Sequence, residues 1–271
     1  MQTPRRAPIL GISRAAAGSA LRLTFLTAAV TVWALACAPL ARAAECPDVL
    51  SRALRLALVT TKGMETAKAL LTRFTRTSTD TPWTQEGEVE PAVVGTAGLG
   101  WGAGFESYGG AGEPIKVEGD RRTPAGVFGL GASFGFAASL LPGHIVLRPN
   151  KAVCIDDVRS PHYNSIRTRA DAGSVSGEEM WRIPLYRSGI IVDYPTDREK
   201  RRGSCIFVHI WRSPNSGTAG CIAMPRTRVK ALQSFASPGA VIAILPASTL
   251  SQFNGCLPAP REASGTEHSP R

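Results

Sequence analysis

Two residues twelve positions apart, His209 and Cys221, have the types and the setting that covalent catalysis needs. Cysteine attacks carbonyls as its thiolate, and an unperturbed thiol has a pKa of about 8.5, so a base or cationic neighbour must help it. His209 lies near the end of Cys205–Trp211, an apolar, β-prone run. A turn of Ser, Pro, Asn and Gly follows and delivers Cys221 directly after Gly220. In a strand Cys205, Phe207, His209 and Trp211 share one face, with Ile206, Val208 and Ile210 on the other. Gly220 lets backbone approach a substrate closely, and amides beside it suit an oxyanion. No acid follows at a short fixed spacing, which leaves a backbone carbonyl to orient the imidazole. Each residue alone has a plainer reading, the histidine as a core residue and the cysteine as half of a disulfide.

The amino terminus bears on that second reading. Residues 1–43 hold Arg5, Arg6, Arg14, Arg22 and Arg42 with no acid, an apolar run from Leu23 to Leu40, and Ala41-Arg42-Ala43 as a small-x-small site. This is the layout of a secretory signal cleaved before Ala44, with an uncleaved membrane anchor as the alternative. Export to an oxidising compartment favours paired cysteines. Setting Cys37 aside with the leader leaves five, Cys46, Cys154, Cys205, Cys221 and Cys256, so one stays free or pairs between chains. Cys46 and Cys256 flank the presumptive domain, and Cys154 and Cys205 sit in strand-like runs, which leaves Cys221 as the free candidate. Four cysteines still allow three pairings, and the sequence does not choose among them.

The elements that must position this pair read as short strands. The chain is 44% hydrophobic and 19% charged, with 27 glycines and 20 prolines, a composition that favours a turn-rich β fold over a helical bundle. Strands are expected at Arg55–Thr60, Pro91–Gly95, Ile145–Leu147, Ala152–Ile155, Gly189–Tyr194, Cys205–Trp211 and Val241–Leu245. A strand running to a polar turn is expected from Lys116, with the next strand beginning at Gly126. Met64–Leu71 fits a helix or a strand ending near Phe74, and Thr75–Glu90 reads as turn. Gly189–Tyr194 and Cys205–Trp211 form a hairpin in this reading. Ser176 with Glu179 matches a capping box, predicting a short helix through Trp181. A second helix follows Pro225, with Val229, Leu232 and Phe235 on its inner face. Gly98, Gly100 and Ala103 imitate a dinucleotide fingerprint, but more glycine follows instead of a helix, so close backbone approach explains them better.

Other chemistries are poorly supported. The formal charge is +10, and removing the five leader arginines leaves +5. No basic block interleaved with aromatics appears, so nucleic acid is not an expected partner. There is no Cys-x-x-Cys and no His-x-x-x-His, so neither a metal nor any other cofactor is expected. Asp156, Asp157, His162, Tyr163 and Asn164 crowd one loop, readable as a solvated turn or as a site wall.

The segment His209…Ser216-Gly217-Thr218-Ala219-Gly220-Cys221-Ile222 resembles the signature of the L,D-transpeptidase (YkuD) family. Upstream, Asp120…Thr123-Pro124-Ala125-Gly126-Val127-Phe128 is similar to the family's Asp…Thr-Pro-x-Gly-x-Phe strand pair. The resemblance covers about Val93 to Leu245. It implies a mainly β, single-domain fold with a sandwich- or barrel-like sheet and a few short helices. The implied organisation is a leader over 1–43, an N-terminal extension over 44–90 packed on the domain, a catalytic domain over 91–248, and a tail over 249–271 disordered after Cys256. The implied activity is acyl transfer through a cysteine on peptidoglycan stem peptides, in the periplasm or cell envelope, with membrane association only through the leader. Carried over, Cys221 is the nucleophile, His209 the base and acid, and backbone at Gly220 and Cys221 the oxyanion hole. Ser216 or Gly217 would lend a carbonyl to His209. Thr218, Ser216, Gly217, Arg121, Trp211, Tyr163 and Asn164 are the expected substrate contacts. Two departures stand out. Many members carry His where this chain has Ala219, and a polar residue where it has Ala223. Cys221-Ile222-Ala223-Met224 resembles a subset that includes hydrolytic members, so transfer and hydrolysis both remain open, beside a non-catalytic peptidoglycan-binding module.

Overall fold

Apolar alternation and β-branched runs dominate the chain, and the computed structural model, which describes residues 46–236, 239–253 and 255–258, is accordingly mainly β. The leader and the end of the tail lie outside the described residues. In chain order the strands are β1 (Arg55–Thr61), β2 (Lys68–Thr75), β3 (Thr84–Val93), β4 (Leu99–Trp101), β5 (Thr123–Gly135), β6 (Ile145–Val146) and β7 (Val153–Cys154). They continue with β8 (Ile166–Arg167), β9 (Glu178–Glu179), β10 (Ser188–Asp193), β11 (Phe207–Ile210), β12 (Ile222–Met224) and β13 (Val241–Pro246).

The principal sheet runs β10-β11-β12-β3-β2-β1-β13-β5, and β5 pairs again with β10, so it closes on itself. The device is the length of β5. Its first half meets β13 (Ile242↔Phe128) and its second half meets β10 (Gly189↔Phe134). Closure leaves no long open edge and makes a stiff support. Four pairings are parallel: β1 with β13, β11 with β12, and β5 with the short strands β4 and β6. The expected hairpin forms, with Gly189 opposite His209 in the antiparallel β10–β11 pair. A separate three-stranded sheet, β8-β7-β9, shares no strand with the closed one.

Residues 55–93 belong to the closed sheet. β1 lies between β2 and β13, with Leu56, Ala57 and Val59 fully buried. Helix Arg226–Phe235 buries Val229, Leu232 and Phe235 as the spacing requires, with Pro225 just before it.

Three local expectations are corrected. Thr84–Glu90, expected as turn, is the outer half of β3: its glutamates break the apolar alternation but pair with Arg73 on β2, Glu86 at 3.1 Å and Glu90 at 3.8 Å. Ser176–Trp181, expected as a helix, is the bridge β9 followed by a single 3-10 turn, Met180–Arg182. There the pairing of Glu178 with Cys154 and of Glu179 with Val153 overrides the capping pattern. The strand expected to start at Gly126 starts at Thr123. The glycine stretch behaves as close approach demands: Gly98 has φ of 81°, and a Cβ there would lie 1.9 Å from the Met64 carbonyl oxygen. Of the tail, Leu257 is buried in the core and residues 259–271 lie outside the described set.

A chain beginning at residue 81 would lack β1 and β2, opening the closed sheet between β3 and β13 and uncovering the part of the core that Leu56 and Val59 fill. We expect it to show no cooperative thermal unfolding by circular dichroism, whereas the chain from Cys46 melts in one transition.

Candidate active site

Cys221 precedes β12 by one residue, and β12 lies parallel to β11 with Val208 opposite Ile222 and His209 opposite Ala223. Side-chain alternation therefore puts Cys221, Phe207 and His209 on one face. The burial pattern agrees. Cys205, Phe207 and Cys221 pack in one small core cluster with Phe134 and Tyr186, while Ile206, Val208 and Ile222 join the main core. The turn before Cys221 is held by backbone. Thr218 exchanges bonds with the segment after β3, its N–H to the Val94 carbonyl at 2.9 Å and its carbonyl from the Thr96 N–H at 2.8 Å. Gly220 has φ of 152°, a conformation open essentially to glycine alone.

Two hydroxyls fix the Cys221 carbonyl. Thr123 Oγ1, fully buried at the start of β5, donates to the Cys221 oxygen at 3.0 Å, and Thr218 Oγ1 donates to it at 2.6 Å. The Gly220 N–H donates to Thr218 Oγ1 at 3.1 Å. The Thr-Pro motif thus has a direct structural use: it ties β5 to the cysteine turn. Asp120 shapes the preceding turn, accepting from the N–H groups of Val117 and Arg122 and from Lys116 Nζ at 2.6 Å. Arg121, on that turn, is held at φ of 57°, a conformation costing an arginine on the order of 1 kcal/mol or more.

A cavity of about 500 Å³ opens over this face. Its buried end holds Cys221, His209 and Tyr186, and its exposed rim holds Arg121, Arg212 and Ala219. Ser216, Gly217, Thr218, Gly220 and Trp211 also line it, so eight of the ten expected site residues come together. Tyr163 and Asn164 stand apart from the lining. The buried Tyr163 donates its hydroxyl to Glu118. Asn164 bridges two backbone segments, accepting from the Cys205 N–H at 2.9 Å and donating to the Tyr194 carbonyl at 3.0 Å.

The cavity also holds residues that the sequence did not single out. Glu178 and Tyr186 form a pair, the tyrosine hydroxyl donating to Glu178 Oε2 at 2.7 Å. The Tyr186 ring packs edge-on against His209, with centroids 5.1 Å apart. Glu178 had been absorbed by the capping-box reading, and Tyr186 sits on a 3-10 turn, Pro184–Arg187, with no distinguishing signal in sequence. Lys116, Glu118 and Asp156 complete the charged walls.

His209 Nδ1 lies 2.8 Å from the Ile210 carbonyl. A carbonyl only accepts, so Nδ1 carries the proton and Nε2 is left as the basic nitrogen. The orienting carbonyl is therefore that of Ile210, not of Ser216 or Gly217. Cys221 is the free cysteine among the described residues; the other four pair as Cys46–Cys256 and Cys154–Cys205. Its thiol donates to the Cys205 carbonyl at 3.4 Å. Burial pushes the thiol up to about 12, reinforced by the Glu178 carboxylate and opposed by the Phe207 N–H and the Tyr186 hydroxyl. Burial lowers His209 to about 4, with its bond to Ile210 opposing. Glu178 is raised, first by burial. At the buried end of the cavity thiol and imidazole are thus both neutral, a base beside an undissociated acid rather than a ready-made ion pair. Among the described residues no cluster of His, Cys, Asp and Glu has the geometry of a metal site.

The L,D-transpeptidase catalytic domain family, YkuD, matches residues 81–244, and the chain belongs to that family. No curated protein matches it. Among solved structures, a point mutant of the helical cell shape determining protein Pgp2 from Campylobacter jejuni is similar, with 14% identity over 72% of this chain and 48% of that one and a TM-score of 0.38. The Pgp2 structure without that substitution gives 15% identity, the same coverages and a TM-score of 0.34. The chain therefore spans about half the length of these two proteins.

The depressed histidine has a measurable consequence. An unfolded chain protonates His209 near pH 6.5, while the folded one resists until about 4. The unfolded state thus binds the extra proton first, and stability falls as pH drops through that window, by on the order of 3 kcal/mol from this residue. Raised Glu178 acts in the opposite sense, so the comparison must isolate the histidine. Urea unfolding between those pH values should show a shallower acid loss for His209→Gln than for wild type; equal slopes would contradict a buried neutral imidazole.

Proposed function

We propose that this chain is an exported, cysteine-dependent acyltransferase acting on peptidoglycan stem peptides, with Cys221 as nucleophile and His209 as base and then acid. The observation that carries the reading is the convergence of the free thiol and a histidine with an available Nε2 at the buried end of one cavity. Two disulfides fit an oxidising compartment outside the cytoplasm.

The chemistry follows from the resting protonation states. A neutral thiol is a poor nucleophile, so proton transfer from Sγ to His209 Nε2 must accompany attack on the substrate carbonyl. Attack forms the C–S bond and a tetrahedral oxyanion. Because the Gly220 N–H is engaged by Thr218, the amide of Cys221 is the better placed donor for that oxyanion. Collapse breaks the C–N bond, and the departing amine takes the proton from His209. An amine of a second stem then attacks the thioester to give a cross-link, or water gives hydrolysis; either restores the thiol. Arg121 and Arg212 at the rim provide cationic groups for a carboxylate of the donor, and Trp211, Ser216, Gly217 and Thr218 a ledge for its backbone. The absence of an imidazole at Ala219 and of a polar group at Ala223 bears on the acceptor, which makes hydrolysis of the same bonds the second reading.

Muropeptide mass spectrometry after incubation with purified protein tests this. Wild type should form new cross-linked species or shorten stems, and Cys221→Ala should lose at least about a hundredfold of that activity. Unchanged activity in Cys221→Ala would refute a cysteine mechanism, and sacculus binding without any mass change would leave a binding module.

A further inference from the structure

Cys205 stands at a junction. Its backbone has φ of 55°, unusual for a residue with a side chain. Its N–H is taken by Asn164 Oδ1, its carbonyl receives the Cys221 thiol, and its sulfur is bonded to Cys154. Asn164, itself at φ of 59°, is fixed at its other end by the Tyr194 carbonyl. Three separate contacts thus hold one strained residue whose carbonyl faces the nucleophile.

The other half of the disulfide reaches the opposite wall. Cys154 lies in β7 directly across from Glu178 in β9. Glu178 receives the Tyr186 hydroxyl, and Tyr186 packs edge-on against both Phe207 and His209. The small sheet and the closed sheet share no strand. The Cys154–Cys205 bond is therefore a covalent tie between the wall that carries Glu178 and the segment that faces Cys221, across 51 residues of chain. The groups acting on the sulfur come from both sides: Glu178 and Tyr186 from a cap made of the small sheet and the Pro184–Arg187 turn, Lys116 and the Phe207 N–H from the closed sheet and its loops.

We propose that the Cys154–Cys205 disulfide, together with Asn164, is a redox-controlled positioning element for the Cys221 thiol. Closed, it holds the Cys205 carbonyl on the sulfur and fixes the small sheet over His209. Open, Cys205 relaxes from its strained conformation, the thiol loses its acceptor, and the cap loosens. The enzyme is then inactive in a reducing compartment and gains activity on oxidation. Opening is ordinary exchange with a dithiol reductant: one thiolate attacks a sulfur of the pair, breaking the S–S bond and forming a mixed disulfide, and the second thiol resolves it. The products are two protein thiols and an oxidised dithiol, and closure by a disulfide oxidant is the reverse.

This inference rests on the reading of Cys221 as nucleophile, and the test separates the two. Cys154→Ser/Cys205→Ser leaves Cys221 as the free thiol, and Asn164→Ala loosens Cys205 while both disulfides stay closed. Two quantities are read on folded protein, well below the melting temperature: the iodoacetamide rate at Cys221 across the neutral to alkaline range, and kcat and KM on a stem tetrapeptide. We expect opposed changes in the double variant. Alkylation becomes faster and its profile moves to lower pH, because the thiol has lost its carbonyl acceptor, while kcat falls about tenfold or more with KM within about twofold. Asn164→Ala shifts both in the same directions by less. A purely structural disulfide would lower the melting temperature and leave both readouts alone. Wild-type kcat and a wild-type alkylation profile in the variants overturn the proposal, and if the double variant does not fold, Asn164→Ala decides it. Absence of wild-type turnover would sink the acyl-transfer reading, while the alkylation profiles would still judge the positioning.

Discussion

The Cys221 carbonyl, held by the hydroxyls of Thr123 and Thr218, is the contact on which the site's geometry depends. A buried carbonyl left unpaired costs about 1–3 kcal/mol, more than a typical bond returns, so both threonines are constrained to stay. Thr123 also accepts from the Gly95 N–H at 2.8 Å, so one buried side chain joins the end of β3, the start of β5 and the cysteine turn. The closed sheet transmits that constraint. β5 is paired along both halves, so its first residue has little freedom, and the cysteine inherits that rigidity through one hydroxyl. Sites held on strands in this manner are more accurate than sites carried on loops alone.

Rigidity comes with desolvation, and desolvation sets the chemistry. The same burial that fixes Cys221 and His209 drives both to their neutral forms. A thiolate–imidazolium pair would need compensation that the cavity walls do not supply, since Glu178 opposes negative charge on the sulfur. In the cysteine mechanism proposed for this site, charge is therefore created only during attack, where the developing oxyanion meets backbone amides. Burial has a second consequence, because a neutral buried thiol resists oxidation and unwanted disulfide exchange far better than an exposed thiolate.

Much of this was legible in the sequence, for identifiable reasons. The β-rich class, the β10–β11 hairpin, the helix after Pro225 and the face shared by Phe207 and His209 all follow from periodicity, because each buries one side only. The free Cys221 followed from counting, although the pairing of the other four did not, since Cys154 and Cys205 meet only after 51 residues of folding. What sequence missed was non-local or polar. The outer half of β3 is stabilised by Arg73 on its neighbour, and no window of β3 alone contains that information. Glu178 was hidden inside the Ser176–Glu179 capping pattern because that pattern is local, while its β7 partner and its Tyr186 bond are not. Tyr163 and Asn164 attracted notice as polar loop residues, and their polarity is spent on Glu118, Cys205 and Tyr194 rather than on the cavity.

The two sheets divide the labour of the cavity unequally. The closed sheet supplies cysteine, histidine and the cysteine turn, and every one of these is tied to paired backbone. The small sheet has strands of two residues each, too short to be stable by themselves, and is tied to its surroundings by the Cys154–Cys205 disulfide and by the Glu178–Tyr186 hydrogen bond. A wall built from so few ladder bonds moves at lower energetic cost than the barrel does. Cys221 and His209 thus stand on the stiff closed sheet and its turn, while Glu178 stands on the more adaptable wall. Changes confined to that wall would reshape the cavity while leaving Cys221, His209 and the turn between them in place.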